Sequence, residues 1–437
     1  MAKNSSVFVC TNCGNESPRW SGQCPSCEEW NTLEESKLYV EEKKASSSAS
    51  VSVKKLKDID VSKLVRTTSG FIELDRVLGG VADKAGFVEG EVVLVSGDPG
   101  IGKSTLLLQV LTDISNRGVR SVYVSAEESA SQIALRAKRL LGNDFSSIEL
   151  EVVSGNEVEG IIEKIRKLKA KYVVVDSVQT IYSSDARGLA GGVSQVKASS
   201  LKLVNFAKEN DVTLIIVGHI NKAGNVAGPK VLEHLVDAVL QIEGDEKSGY
   251  RLVRGLKNRY GTTNEVGILK MGESGLEDLG DAPLFFVSEE KAPGVCRGAI
   301  IEGNRSIVVE VQALTNMTSF SQPKRVAQGI SNSKLQVICA VLQKHAGLKL
   351  YDKDVYVNIA GGLKVNDPGI DLAIAIAVAS SLKGKALKAD AAALGELSLT
   401  GIIGKPLREG QRRKELKNLG LDVIKSSKNI KTVVSSI

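Results

Sequence analysis

The chain has 437 residues, of which 42% are hydrophobic and 25% are charged, and its formal net charge is +6. At roughly 150 residues per domain this length predicts two or three domains, and the composition is typical of globular proteins with several apolar cores. No signal peptide precedes the first cysteine and no apolar stretch approaches the roughly 18 residues of a membrane span, so we exclude a membrane protein and expect a cytoplasmic one.

The amino-terminal segment, residues 1–34, carries cysteines at the spacing of metal ligands. They form two Cys-x2-Cys pairs: Cys10, Cys13, Cys24 and Cys27. Two thiolates on each of two tight turns supply four soft ligands, which predicts a closed, structural Zn²⁺ ribbon, with iron in the same thiolates as the alternative. Disulfides are disfavoured in a reducing cytosol. We expect Trp20 and Trp30 to pack around this metal site.

Residues 35–57 should form a flexible linker, because their charged, serine-rich sequence has no sustained apolar period. Residues 58–283 then alternate apolar strand candidates with helical patterns. The strand candidates are 92–95, 122–125, 148–153, 172–176, 213–218 and 238–242. This alternation predicts an α/β fold with a mainly parallel sheet that helices cover on both faces. In such folds ligands bind at the carboxyl ends of the strands.

A glycine-rich loop follows the first of these strands and opens a helical pattern at residues 105–116. Its members are Gly97, Asp98, Pro99, Gly100, Ile101, Gly102, Lys103 and Ser104, followed by Thr105. Glycines at the bends let backbone N–H groups converge on phosphate oxygens. Lys103 adds a point charge for the β and γ phosphates, and the Ser104 hydroxyl can hold Mg²⁺. The loop and the positive end of its helix therefore predict a site for ATP or ADP with Mg²⁺.

Polar residues follow three of the strand candidates. Asp176 ends a buried strand and is expected to complete the magnesium shell. Glu127 is placed to orient or deprotonate the attacking water, and Glu128 is its rival for that role. His219 follows another strand, where it can contact the γ-phosphate. The alternative for each residue is a helix cap or an ordinary polar group at a strand end.

Two basic, glycine-rich loops lie beside these strand ends. One spans residues 183–195 and contains Arg187, and the other follows His219 and contains Lys222 and Lys230. Mobile basic loops on one face of a nucleotide-binding sheet can follow a phosphate backbone, which makes these residues candidates for contact with DNA. Surface loops are also commonly basic and rich in glycine without such a role.

The order of these segments resembles a known family. Cysteine knuckles, a recombinase-like ATPase core, the pentapeptide at residues 257–261 and a carboxyl-terminal segment similar to the Lon protease occur as in the bacterial RadA/Sms recombination ATPases. That pentapeptide reads Lys-Asn-Arg-Tyr-Gly, with Tyr260 where the family usually has Phe. The resemblance implies that Lys257 and Arg259 reach the nucleotide of a neighbouring subunit and stabilise the transferred phosphoryl group.

The same resemblance implies further properties of the protein. They are a RecA-like fold, a hexameric ring, binding of single-stranded and branched DNA, a RecA-type recombinase as partner, and a place with the cytoplasmic nucleoid. The implied reaction is ATP hydrolysis coupled to movement along single-stranded DNA and to branch migration. Two alternatives stay open: a nucleotide-state switch that binds other repair proteins, and an ATP-dependent Ser/Lys protease.

Residues 284–437 resemble the Lon peptidase domain, notably at 355–371 and 395–401. A working Lon peptidase needs a serine nucleophile that a lysine base activates. The expected nucleophile region has no serine, and Arg408 near the expected lysine cannot act as a base because its guanidinium stays protonated. The remaining serines and lysine nearby do not match the motif: Ser380, Ser381 and Lys405. We therefore expect an α+β domain that serves as a scaffold without proteolysis.

Overall fold

The computed structural model describes residues 6–10, 16–25, 28–37, 55, 65–81, 84–186, 190–219, 232–244, 249–279, 291–424 and 427–437. The chain divides into two compact units. The first comprises Met1–Glu243, Leu252–Thr263 and Met271–Asp278, and the second comprises Gly244–Arg251, Asn264–Lys270 and Leu279–Ile437. The limits expected from the sequence at residues 34, 57 and 283 stay predictions.

The amino-terminal ribbon is a three-stranded antiparallel sheet. Its strands are β1 (Ser6–Cys10), β2 (Glu16–Ser17) and β3 (Leu33–Lys37), in the order β2-β1-β3. The expectation that Trp20 and Trp30 pack around the metal site is wrong, because these residues are 58% and 67% exposed. The indole N–H of Trp20 donates to the Leu33 carbonyl at 3.1 Å, which holds its ring at the surface. Leu33 and Phe8 pack against the buried cysteines instead.

In the part of the chain that the structure describes, the next eleven strands fall into two sheets: the first two strands pair with each other, and the other nine form one sheet. They are β4 (Arg66–Thr67), β5 (Phe87–Val88), β6 (Val92–Gly97), β7 (Ser121–Ser125), β8 (Glu151–Ser154), β9 (Tyr172–Asp176), β10 (Thr213–His219), β11 (Ala238–Glu243), β12 (Tyr250–Asn258), β13 (Val266–Gly272) and β14 (Gly275–Asp278). The order β11-β6-β10-β9-β7-β8 is parallel throughout, and β12 pairs antiparallel with β11. The predicted α/β fold is confirmed. Only the candidate at 148–153 begins later, at Glu151.

Helices connect these strands. They are α1 (Ile72–Leu78), α2 (Lys103–Asn116), α3 (Ala130–Leu141), α4 (Val158–Leu168) and α5 (Val193–Glu209). The start of α3 is fixed by a capping box, in which Ser129 and Gln132 exchange side-chain to backbone hydrogen bonds. Ile165 of α4 and Leu203 of α5 join the valines of the central strands in one apolar cluster. This cluster holds the strand ends rigidly in place.

The second unit is an α+β structure. Its later strands are β15 (Val295–Glu302), β16 (Arg305–Met317), β17 (Arg325–Gln328), β18 (Lys353–Ile359), β19 (Ala391–Ala392), β20 (Glu396–Leu397), β21 (Ile403–Gly404) and β22 (Asp422–Val423), and its helices are α6 (Asn332–Ala346), α7 (Asp371–Lys383), α8 (Glu409–Asn418) and α9 (Ile430–Ser435). Six strands form a sheet in the order β17-β18-β16-β15-β19-β22. Helix α7 is buried along most of its length. Among the described residues, no helix has both the length and the apolar character to cross a bilayer.

Candidate nucleotide site

The glycine-rich loop joins the end of β6 to the start of α2. All residues of β6 are buried, so the strand delivers the loop from a fixed position. Gly100 and Gly102 have φ angles of 78° and 110°, which favour glycine. A Cβ on Gly102 would also lie 2.8 Å from Met271 Cε. The free N–H groups at the start of α2 face this loop, as in anion sites at helix amino termini.

Lys103 lies inside the loop. Its ammonium group donates to the Gly97 carbonyl at 2.8 Å and to the Asp98 carbonyl at 2.9 Å. Burial lowers the pKa of this lysine, and the nearby carboxylates of Asp176, Asp98 and Glu127 oppose that shift. The loop therefore surrounds one cation whose hydrogen bonds to carbonyls can be exchanged for bonds to phosphate oxygens. Ile101 is buried and Ser104 and Thr105 are half-buried at the same turn.

Strand register brings the predicted polar residues to the same edge of the sheet. His219 is in register with Gly97, and Ser125 is in register with Asp176. The Asp176 carboxylate accepts a hydrogen bond from the Tyr123 phenol at 2.6 Å. Burial, followed by the charge of Asp176, raises the pKa of Tyr123 well above its usual value, so this phenol stays protonated. Sequence reasoning missed Tyr123, because an aromatic residue in the middle of an apolar strand is typical of a core position.

Glu127 faces this edge and has two polar neighbours. The Ser177 hydroxyl donates to its carboxylate, and His219 Nε2 lies 3.5 Å from Oε1 of the same group. The hydrogen bond from His219 lowers the pKa of Glu127, burial raises it, and the Ser177 bond and the Lys103 charge lower it further. Glu127 is therefore ionised at neutral pH and is oriented from two sides.

Glu128 is engaged elsewhere. Its carboxylate forms an ion pair with Arg136 of α3, and its backbone carbonyl accepts a hydrogen bond from the Ser125 hydroxyl at 2.7 Å. Because the two neighbouring glutamates have different partners, only Glu127 is placed beside His219 and Ser177.

Lys257 and Arg259 lie at the opposite edge of the sheet. Asn258, between them, is in register with Ala238, which is in register with Val93 near the start of β6. Four residues of strand separate Val93 from Gly97, which is about 13 Å at 3.3 Å per residue. The fold therefore does not bring these two cations to the phosphate loop of their own chain.

Both cations are held at that edge by neighbouring groups. Lys257 Nζ donates to the carbonyls of Glu233 at 2.6 Å and Val236 at 2.8 Å, and burial followed by the Arg259 charge lowers its pKa. The Arg259 guanidinium lies 3.3 Å from the buried Asp237 carboxylate but remains 58% exposed. Arg259 therefore exposes its charge to solvent while Asp237 holds its guanidinium in position.

The ribbon residues fit a metal with soft ligands. Cys10 and Cys24 are buried in the same small cluster, and the Cys10 thiol lies 3.1 Å from the Thr32 hydroxyl. Two thiols that share one core are suited to a tetrahedral thiolate site. The other two predicted ligands, Cys13 and Cys27, lie outside the described residues.

The three candidates for DNA contact, Arg187, Lys222 and Lys230, also lie outside the described residues. A hydrogen bond fixes the described start of the loop at residues 183–195. The Ser183 hydroxyl donates to the Glu159 carboxylate at 2.6 Å, and Lys202 Nζ lies 2.5 Å from the same group.

In the second unit the serines near the Lon-like motif bind backbone groups. The Ser380 hydroxyl donates to the Lys385 carbonyl and accepts from the Gly294 N–H, and the Ser381 hydroxyl accepts from the Thr315 N–H. These bonds are structural, and no lysine ammonium takes part in them.

Ion pairs lie in the region where the peptidase nucleophile was expected. Arg412 is buried and pairs with Asp367 at 2.6 Å, while Lys334 pairs with Asp371 at 2.9 Å. The Asp367 carboxylate also accepts the N–H groups of Ile301 and Gly369. Lys334 and Arg412 thus form ion pairs with carboxylates, and neither pair includes a hydroxyl nucleophile.

Comparisons with known proteins match the segments in the same order. Family models match as a rubredoxin metal binding domain over residues 8–35, an AAA domain over residues 83–225 and subunit ChlI of Mg-chelatase over residues 309–409. The DNA repair protein RadA of Bacillus subtilis is 43% identical over 428 residues, which cover 96% of this chain and 92% of the relative. The DNA repair protein RadA of Aquifex aeolicus is 43% identical over 427 residues, 96% of this chain and 93% of the relative. A solved KaiC-like protein from Pyrococcus horikoshii has a TM-score of 0.40 and 23% identity, covering 49% of this chain and 99% of that one.

Proposed function

Because the chain belongs to the family of the DNA repair protein RadA and carries its ATPase domain, we propose that it hydrolyses ATP to move along single-stranded DNA and to drive branch migration during homologous recombination. The observation that carries this proposal is the division of polar residues between two edges of one sheet. The phosphate loop, Asp176, Glu127 and His219 lie at one edge, and Lys257 and Arg259 lie at the other.

The first edge supplies the groups for phosphoryl transfer to water. Lys103 binds the β and γ phosphates, and Ser104 and Asp176 hold Mg²⁺, whose chemistry when bound is to neutralise charge on the phosphates. Glu127 orients and deprotonates the attacking water, since its carboxylate is ionised and fixed by Ser177 and His219. His219 contacts the γ-phosphate and reports its presence to the loop that follows.

The second edge requires another copy of the chain. Arg259 is exposed, is held by Asp237, and lies about 13 Å along the strand from the phosphate loop of its own chain. In a head-to-tail ring it would face the nucleotide of the next subunit, where a guanidinium stabilises the charge of the transition state. We therefore propose a homo-oligomeric ring, with six subunits as in the family it resembles, in which Lys257 and Arg259 act across the interface.

The remaining parts receive proposed roles in the same scheme. Arg187, Lys222 and Lys230 would contact DNA in the ring, and branched DNA and a RecA-type recombinase would be the partners at the cytoplasmic nucleoid. The ribbon would hold Zn²⁺ through Cys10, Cys13, Cys24 and Cys27, in a structural role. The second unit would serve as a scaffold, in line with its hydrogen-bonded serines and its ion pairs.

Steady-state ATP hydrolysis with and without single-stranded DNA, at low and moderate salt, tests this proposal. We expect DNA to stimulate hydrolysis and moderate salt to weaken the stimulation, because contacts with phosphates release counterions. The Lys103→Ala variant controls for contaminating ATPases. A rate of hydrolysis that DNA does not change at either salt concentration would contradict a DNA motor and favour the nucleotide-state switch. ATP-driven degradation of casein, which we do not expect, would favour the protease.

A further inference from the structure

Tyr123 is a buried polar residue at the nucleotide site to which the proposed reaction gives no role. It lies in the middle of β7, where it is fully buried and in register with Val174 of β9. Its phenol donates to Asp176 Oδ2 at 2.6 Å. One buried side chain is therefore bonded directly to a residue that is expected to bind Mg²⁺.

We propose that Tyr123 is a positioning residue for the magnesium ion, because its phenol holds the Asp176 carboxylate that is expected to bind this ion. This inference rests on the proposed nucleotide site. A phenol has one proton, which here goes to Asp176 Oδ2 and fixes the orientation of that carboxylate.

The hydroxyl of Tyr123 is the part of the side chain that packing does not explain. A phenylalanine would fill the same space in β7, and burying a hydroxyl is unfavourable unless hydrogen bonds compensate for the lost water. Its hydrogen bond goes to Asp176 of the site. Groups that orient metal ligands in this way typically change metal affinity about 10- to 100-fold when they are removed.

The neighbouring strand provides a matched control. Tyr172 begins β9 and is also buried. It lies at the edge of the sheet opposite Asp176, since these two residues are the two ends of β9. Tyr172→Phe therefore removes the hydroxyl of another buried tyrosine from the same sheet without touching the nucleotide edge.

The test measures metal dependence separately from turnover. A fluorescent, non-hydrolysable ATP analogue is bound to the full-length protein, first in EDTA and then with increasing Mg²⁺, and Mn²⁺ binding is followed by electron paramagnetic resonance. For Tyr123→Phe we expect the midpoint for Mg²⁺ and for Mn²⁺ to rise about 10-fold, with unchanged binding in EDTA. At saturating Mg²⁺ hydrolysis should recover, and Tyr172→Phe should match the wild type throughout.

Two results would overturn the inference. One is a Tyr123→Phe protein with the wild-type metal midpoint, and the other is a variant that loses binding in EDTA as much as in Mg²⁺, which would indicate a packing role alone. If Tyr123→Phe does not fold, Tyr123→Met also lacks a hydroxyl that can donate to Asp176, and the same two results would overturn the inference. A wild-type protein that binds no nucleotide under any condition would instead refute the proposed function.

Discussion

Replacement of Arg259 by alanine separates a contribution to stability from a contribution to hydrolysis. The guanidinium is 58% exposed and lies 3.3 Å from the buried Asp237 carboxylate. When it is removed, that carboxylate keeps the Lys208 ammonium and the Val92 N–H as partners. An ion pair this exposed contributes about 0–1 kcal/mol after solvent screening. The melting temperature should therefore fall by no more than about 2–4 °C.

The effect on hydrolysis should be much larger. An arginine supplied to the transferred phosphoryl group by a neighbouring subunit contributes about 10³- to 10⁵-fold to kcat. We expect Arg259→Ala to lower kcat by at least about 10³-fold, while nucleotide affinity stays near the wild-type value because Arg259 is remote from its own phosphate loop. Arg117→Ala is the matched control. It removes an equally charged surface arginine that pairs with Asp113 at 2.6 Å, and its hydrolysis should be unchanged.

Mixing two inactive variants tests the placement across an interface. Lys103→Ala subunits keep Arg259 but cannot bind the phosphates, and Arg259→Ala subunits have the reverse defect. In rings assembled from an equal mixture, roughly a quarter of head-to-tail interfaces combine an intact loop with an intact arginine. Hydrolysis should rise above that of either variant alone. No recovery in rings shown to contain both variants, or wild-type turnover by Arg259→Ala alone, would refute the reasoning.

Other substitutions test other parts of the site and the fold. Cys24→Ser should release the bound metal and leave ATP hydrolysis unchanged, as metal analysis of the purified protein would show, and retained stoichiometric zinc would argue against four-cysteine ligation. Glu127→Gln should lower kcat about 10²- to 10⁴-fold, while Glu128→Gln should stay within a few-fold of the wild type; the reverse ranking would assign the base to Glu128. Burial raises the pKa of the Glu91 carboxyl from 4.5 to about 8. The folded chain then holds a proton that the unfolded chain has lost, so stability falls as pH rises from 4.5 to about 8. Urea unfolding at several pH values should show this fall in the wild type and a smaller one in Glu91→Gln, and equal slopes in the two proteins would contradict the burial argument.

The parts of the site that are local in sequence could be predicted from it. The phosphate loop is contiguous, and its lysine and glycines carry their chemistry in one segment. Asp176 could be placed because an apolar run that ends in a carboxylate indicates a strand end in an α/β sheet. Glu127 and Glu128 could not be separated, because the direction of two successive side chains depends on the turn between Ser125 and α3.

Other features depend on long-range packing and could not be predicted. Tyr123 resembles a core residue until the fold shows that its phenol reaches Asp176. The pairing of Asp367 with Arg412 joins residues 45 positions apart, and the local sequence does not distinguish Arg412 from Arg408 as the partner. The ribbon tryptophans were misplaced because so small a sheet has room for Leu33 and Phe8 in its core, but not for two indoles.

Strand β6 ties the two edges of the sheet together within each chain. The Val92 N–H at its start donates to Asp237, the partner of Arg259, and Gly97 at its end begins the phosphate loop. The strand is buried and bonded to β10 and β11 on either side, so it cannot lengthen or slide by itself. Arg259 therefore moves together with the phosphate loop of its own chain. In a ring where Arg259 completes the neighbour's site, opening or closing of one site would then displace the whole sheet of the adjoining subunit. This rigid coupling gives a physical route by which hydrolysis at one interface would reach the next subunit.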